Sequence, residues 1–333
     1  MTASSRVPAA SATQPSADVD PLPRTWPRRL LYASLLGALC WFMGQAIRLG
    51  LQKTYSIDEF QYAHAAWLIA HGQVPYRDFF DPHFPLVYQY LSAVYRLLDD
   101  DPGHIRWMRM LMVPFLAALL AAAVRINALW DRRLVWLTPL LLLSATTLLF
   151  RATEIRPDPA AFALFLSALA LLYPSPRVGT SAAQPRSDPA DSGTVRRRAP
   201  FWRAFAAGML VTAAIWASQK VLYYGSVFAV ALAIDLFWNR RRDEGYLLGR
   251  PAAFIAGCVA GALPIAAWLT LNGVWDDWFY WCITWAAGHQ RHYPGFSWRK
   301  YFDGFLFHHR WLMLPALLGL LETCLLYTSD AAD

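Results

Sequence analysis

Residues 30–50 read LLYASLLGALCWFMGQAIRLG, and close behind them stands Ser56-Ile57-Asp58-Glu59-Phe60. The first stretch stays apolar for about the 20 residues that a helix needs to cross a bilayer. The second places two adjacent carboxylates at the water edge of that span. Carboxylates there are either solvated loop residues or the acid–base equipment of an enzyme acting on a lipid-bound substrate.

Composition supports a membrane setting. Of 333 residues, 56% are hydrophobic and 16% are charged, against roughly a quarter charged in soluble domains. The 16 Trp and 15 Tyr fit the same class, because amphipathic rings collect at bilayer surfaces. The formal charge of +7 does not point to nucleic acid, since the basic residues gather in short loops between apolar segments, where they set topology. Cys40, Cys258, Cys282 and Cys324 show no CxxC spacing and read as apolar filler. No P-loop, GxSxG, HExxH or dinucleotide fingerprint is present.

Apolar segments recur at Leu30–Gly50, Met110–Val124, Leu134–Phe150, Pro159–Tyr173, Trp202–Ser218, Val221–Trp238, Pro251–Leu271 and Trp311–Tyr327. The expected fold is all-α, a polytopic membrane protein of about eight transmembrane helices. Arg24, Arg28 and Arg29, then Arg125, Arg132 and Arg133, then Arg186 and Arg196 to Arg198, then Arg240 to Arg242 all fall on one side if the spans alternate. The positive-inside rule makes that side cytoplasmic. Residues 1–29 read as a disordered cytoplasmic tail without a signal peptide, and 30–325 as the membrane domain. Within it, 51–106 form the first outer loop and 174–200 a Ser/Pro/Arg-rich cytoplasmic linker. Residues 326–333 break the pattern and read as a non-native tail on the N-terminal part of a larger protein. All eight histidines, with Asp58, Glu59, Asp78, Asp81, Glu154 and Asp158, fall on the extracytoplasmic side. The expected location is therefore a bacterial inner or plasma membrane, with the N-terminus inside and the chemistry outside.

The first outer loop has a legible start. Ser56 with Glu59 three residues on is a capping box. Phe60, Ala63, Trp67 and Ala70 follow at helical spacing, and Gly72 stands where a C-terminal glycine belongs. The pattern predicts a surface helix over 57–71, amphipathic and flat on the membrane, and a second over 85–98. The bland reading of Asp58-Glu59 is a pair of first-turn acids complementing the helix dipole. The functional reading is a base placed at the depth of a lipid headgroup.

Ile57-Asp58-Glu59 with Tyr62-Ala63, followed by Gly72-x-Val-Pro-Tyr-Arg-Asp-Phe-Phe-Asp-Pro-His-x-Pro-Leu, resembles the first extracytoplasmic loop of the GT-C glycosyltransferases of family 39, the protein mannosyltransferase and aminoarabinose-transferase type. Arg151 to Asp158 resembles that family's Glu-x-Arg-x-Asp turn, and Gln219-Lys220 its lysine-containing turn. The likeness runs in order from about Leu30 to Trp311, and His83-Phe84-Pro85-Leu86 departs from the family's usual Pro-Pro-Leu. The resemblance implies an inverting transferase that moves a sugar from a polyprenyl-phosphate donor to an acceptor hydroxyl on a glycolipid, polysaccharide or protein. It implies that Asp58 is the base. A fragment of such an enzyme need not be active by itself.

An inverting displacement with a phosphate leaving group needs one base and cations for the departing charge, not the two carboxylates of glycoside hydrolysis. Arg156 and Lys220 are the candidates to hold the donor phosphate. Against this, Arg156 could be a salt-bridge partner of Glu154 or Asp158, and Lys220 a snorkelling residue. Glu59, Asp78, Asp81, His83 and Asp158 are candidate sugar or acceptor contacts, with Glu59 also explained by the capping box. No metal ligand set and no cofactor is assigned. A divalent ion at His289, His292, His308 and His309 is the alternative left open. Trp275, Trp278, Trp281 and Trp285, at helical spacing, read as an interfacial aromatic belt. The competing class is a transporter or flippase of lipid-linked glycans, which should carry ionisable residues near the middle of its spans.

Overall fold

A largely apolar run makes the first helix, α1 (Trp26–Gln52), long, and most of its surface is left uncovered by the rest of the protein. In the computed structural model, residues 26–128, 135–172, 201–226, 229–230 and 251–291 are described, with 299 and 303. After α1 come α2 (Ile57–Ala70), α3 (Leu86–Leu97), a 3₁₀ turn at Pro102–His104, α4 (Ile105–Leu111) and α5 (Val113–Asn127). Then follow α6 (Leu137–Ser144), α7 (Thr146–Arg151), α8 (Pro157–Leu172), α9 (Phe201–Ala217) and α10 (Pro251–Asn272). The short α11 (Trp275–Phe279) continues through a π-helical turn at Tyr280–Trp285 into α12 (Ala286–Arg291). No strand occurs among the described residues.

Three stretches are long and apolar enough to cross a membrane: Arg29–Gln52, Pro102–Asn127 and Pro251–Asn272. Two shorter apolar helices, α8 and α9, stand beside them. The chain is thus a mostly helical, membrane-embedded protein. Of the expected spans, Leu134–Phe150 is two short helices, α6 and α7, that meet at an extended Ala145. Trp311–Tyr327 and most of Val221–Trp238 lie outside the described residues, as do the 1–25 portion of the tail, the 174–200 linker and the 326–333 tail. The expected start of the second span at Met110 moves forward, because helix begins at the 3₁₀ turn and takes Arg109 inside it.

Small residues hold the bundle together. Helix α9 packs along α8 on one side and α10 on the other, and α5 packs along α8. At the α9–α10 crossing the backbones nearly touch: a Cβ built on Gly257 would lie 1.9 Å from the Phe205 carbonyl, and one on Gly208 2.1 Å from that of Phe254. Such close approach is what small residues four apart, here Gly257 and Gly261, allow in apolar surroundings.

The two loop-one helices form where the pattern places them, but α2 presents a different face to the protein. Tyr62, Ala63, Ala65, Ala66 and Ile69 are buried, whereas Phe60 is exposed. The buried set joins Val87, Tyr88 and Leu91 of α3 and Ala214 and Ala217 of α9 in one core. A helix expected to lie flat on lipid is therefore clamped onto the bundle. Of the four tryptophans read as a belt, Trp275 stays exposed while Trp278 turns inward. Trp278 packs against Phe84 and Trp216, with ring centroids 5.3 and 5.4 Å away. Trp281 and Trp285 meet Phe80 edge-on.

Candidate active site

The site is built on the cap of α2. Ser56 Oγ accepts from the Glu59 amide at 3.3 Å, and Glu59 Oε2 accepts from the Ser56 amide at 3.0 Å. This reciprocal cap leaves Asp58 half exposed in the first turn and Glu59 fully buried. Buried carboxylates need a partner, and Glu59 finds Arg109, itself fully buried. Arg109 donates from Nε to Oε1 at 2.8 Å and from Nη2 to Oε2 at 2.7 Å, the bidentate fork.

Arg109 spends its remaining donors on backbone. Nη1 donates to the carbonyls of Gly50 and Lys53 at 2.8 and 2.9 Å, and Nη2 to that of Thr54 at 3.1 Å. These carbonyls lie where α1 ends and lacks partners of its own. Glu59 Oε1 also accepts from the Ile155 amide at 3.3 Å. One buried pair thus joins the end of α1, the start of α2, α4 and the turn before α8. Burial pushes the Glu59 carboxyl up, but the Arg109 guanidinium and the amides of Ser56 and Ile155 outweigh it and hold the group below the ordinary carboxylate range.

That clamp brings the turn at 151–158 against Asp58. Arg156 Nη2 lies 2.6 Å from Asp58 Oδ2. Its Nε is 2.9 Å from Glu154 Oε2, a contact of charge rather than an aligned hydrogen bond. Glu154, itself buried, also takes Lys53 Nζ at 2.5 Å and Arg151 Nη1 at 3.5 Å. Asp158, in the first turn of α8, accepts from Ser218 Oγ at 2.9 Å and from Lys220 Nζ at 2.5 Å. Of the two partners weighed for Arg156, Glu154 is therefore taken, Asp58 is added, and Asp158 pairs with Lys220 instead.

Below these charges runs an apolar groove of about 390 Å³. Phe115, Leu119, Leu148 and Phe162 line it, while Arg151, Arg156 and Asp158 stand along its wall. Two charge pairs, Arg156 with Asp58 and Lys220 with Asp158, thus each place one member on a cleft fit for hydrocarbon.

The other candidates take internal positions. Glu59, a candidate sugar or acceptor contact, is sealed inside the clamp and has no surface to offer a ligand. Asp81 is likewise 1% exposed and accepts from the His83 amide, from His83 Nδ1 and from the Tyr88 hydroxyl. His83 sits edge-on to Tyr62, with ring centroids 5.5 Å apart. Asp78 caps the Val74 amide and pairs with Arg77, whose hydrogen bond brings its carboxyl down to about 2, and none of its contacts reaches Asp58, Arg156 or Lys220. Tyr76, in the same turn, adopts a left-handed φ of 77° and donates its hydroxyl to the His83 carbonyl. The Gln219 amide nitrogen donates to the Pro82 carbonyl at 3.1 Å, fastening loop one to the turn after α9.

Among the described residues no group of three or more His, Cys, Asp or Glu side chains is arranged to hold a metal. The histidines raised for that role lie outside this description: His292, His308 and His309 wholly, and His289 in its side chain. Sequence reasoning passes over Arg109, Lys53 and Arg151. For Arg109 the available signal is an arginine one turn past Arg106, directly against the apolar run that starts at Met110, a placement too costly to be casual. Compared with protein-family models, with curated proteins and with solved structures, the chain matches none.

Proposed function

We propose that this chain is a polytopic membrane glycosyltransferase of about eight spans. It moves a sugar from a polyprenyl-phosphate donor to an acceptor hydroxyl at the extracytoplasmic surface, with inversion. The observation that carries the reading is the cation–carboxylate array at the head of an apolar groove. The array suits a molecule that is an anion at one end and hydrocarbon at the other.

Charge supports a monophosphate donor. Lys53, Arg151 and Arg156 face Glu154 and Asp58, three cations against two carboxylates, which leaves one formal positive charge. Lys220 and Asp158 cancel. A sugar–phosphate diester brings one negative charge, and a pyrophosphate-linked donor brings two. In the reaction the acceptor oxygen gives its proton to Asp58 and bonds to the anomeric carbon. The anomeric carbon–oxygen bond breaks with its electron pair on the phosphate, which leaves as a dianion. Asp58 loses its charge as the phosphate gains one, so Arg156 can pass from the first to the second without any change in the summed charge. Such matching keeps the electrostatic environment level as charge moves from the base to the leaving group.

A transporter of lipid-linked glycans would find support in the buried Glu59–Arg109 pair. That pair is fixed by backbone carbonyls and amides from three segments, which suits a clamp better than a moving relay. The test is mass spectrometry of envelope glycolipids and glycoproteins from cells carrying the intact gene, no gene, or Asp58→Asn. We expect a glycosylated species that vanishes in the last two. Wild-type amounts of it with Asp58→Asn would overturn the base assignment.

A further inference from the structure

Three tyrosines of the first loop are buried, and two of them have their hydroxyls engaged. Tyr76 donates to the His83 carbonyl at 2.8 Å, and Tyr88 to Asp81 at 3.1 Å. The third is Tyr62, 7% exposed, whose hydroxyl has no hydrogen-bond partner among the described residues. The ring is packed away, but the hydroxyl oxygen is not sealed from solvent, so its hydrogen-bonding capacity is open to a ligand. Tyr62 is also placed in particular company. It stands one helical turn after Asp58, so the two share a face of α2. Its ring is locked edge-on to His83 at 5.5 Å and against Tyr88 at 5.8 Å. Burial, and then the charges of Asp58 and Asp158, raise its hydroxyl above the ordinary phenol range, with Arg156 opposing them. The proton therefore stays on, and the group is a donor.

We infer that the Tyr62 hydroxyl is a phosphate-binding residue, donating a hydrogen bond to a non-bridging oxygen of a polyprenyl phosphate held by Arg156. A neutral donor suits this position. Arg156 already answers two carboxylates, and a further cation would bind to them rather than to the ligand. The phenol adds a directed contact without altering the charge match. It also discriminates by chemistry, because a phosphate oxygen accepts it and a hydrocarbon or an ammonium headgroup does not. The inference rests on the lipid-phosphate reading proposed above.

The test is binding of farnesyl phosphate and of farnesol to the full chain in nanodiscs, for the wild type, Tyr62→Phe and Tyr88→Phe. We expect wild-type protein to prefer the phosphate. Tyr62→Phe should bind farnesyl phosphate about tenfold more weakly, the size of one hydrogen bond to a charged group, with farnesol unchanged. Tyr88→Phe, which removes a hydroxyl already spent on Asp81, should keep the wild-type preference. Equal farnesyl phosphate affinity in Tyr62→Phe and wild type overturns this role and leaves the lipid-phosphate reading standing. An equal loss in both tyrosine variants also overturns it, since the effect is then general loosening of α2 against α3. No preference for the phosphate in the wild type would bring down both readings together.

Discussion

Arg109 shows how one side chain sets the geometry of another that it never touches. It ends α1, neutralises Glu59 and, through Glu59, holds the Ile155 amide one residue from Arg156. Removing it leaves a buried carboxylate without its countercharge and takes a donor from three carbonyls. Arg109→Leu should therefore destabilise the protein by about 3–5 kcal/mol, the usual cost of breaking a buried pair from one side, measured as a shift of the thermal midpoint in detergent. The depressed Glu59 carboxyl adds a pH signature. A group held below its unfolded value, about 4.3, contributes stability above that value and loses it as pH falls through the folded one. Wild-type protein should lose stability on acidification below about pH 4.3, and Glu59→Gln should flatten that slope. An unchanged slope in the variant would remove Glu59 as its source. Lys220→Ala should weaken farnesyl phosphate binding roughly tenfold, because the residue then bears only on the ligand and on Asp158. Unaltered affinity would retire it from the phosphate site.

Between elements, contact depends on what is missing. Gly257 and Gly208 let α9 and α10 approach until backbone meets backbone. Gly257→Leu must push the helices apart, since the obstructing atom is the Phe205 carbonyl and cannot rotate away. We expect a loss of about 2 kcal/mol or more, with earlier thermal unfolding in detergent. Gly37, on α1, has nothing within 4 Å of a built Cβ, so Gly37→Leu should leave the midpoint unmoved. The contrast separates a glycine that serves packing from one that faces lipid. It also separates the elements: α1 stands at the rim, while α8, α9 and α10 carry the bundle.

At the scale of the molecule, loops far apart in sequence meet at one end of the bundle. Lys53 reaches Glu154, Gln219 reaches the Pro82 carbonyl, and Cys282 reaches that of His83. The function proposed above requires this end to be extracytoplasmic, the side the positive-inside rule leads one to expect. In a chain whose four cysteines are replaced, Gln73→Cys should react with a membrane-impermeant maleimide on intact cells, and Ser187→Cys only after lysis. The reverse pattern would invert the topology and place Asp58 in the cytoplasm.

The helices were legible because membrane sequence announces them. Apolar runs, the Ser56–Glu59 cap and Gly72 depend on neighbours a few residues away, and α1, α2, α3, α8, α9 and α10 lie close to where those signals place them. The charged residues that matter were half legible: Asp58, Arg156, Asp158 and Lys220 stand out by type and loop, yet which acid meets which base does not. That pairing is a matter of distances across 62 to 98 positions of chain, as in Lys220 with Asp158 and Arg156 with Asp58. No local rule encodes it. The buried face of α2, the inward turn of Trp278 and the Glu59–Arg109 clamp were likewise decided only when α3, α4 and α9 closed around them, because burial is a property of neighbours and a side chain's partner is whatever the fold leaves within reach.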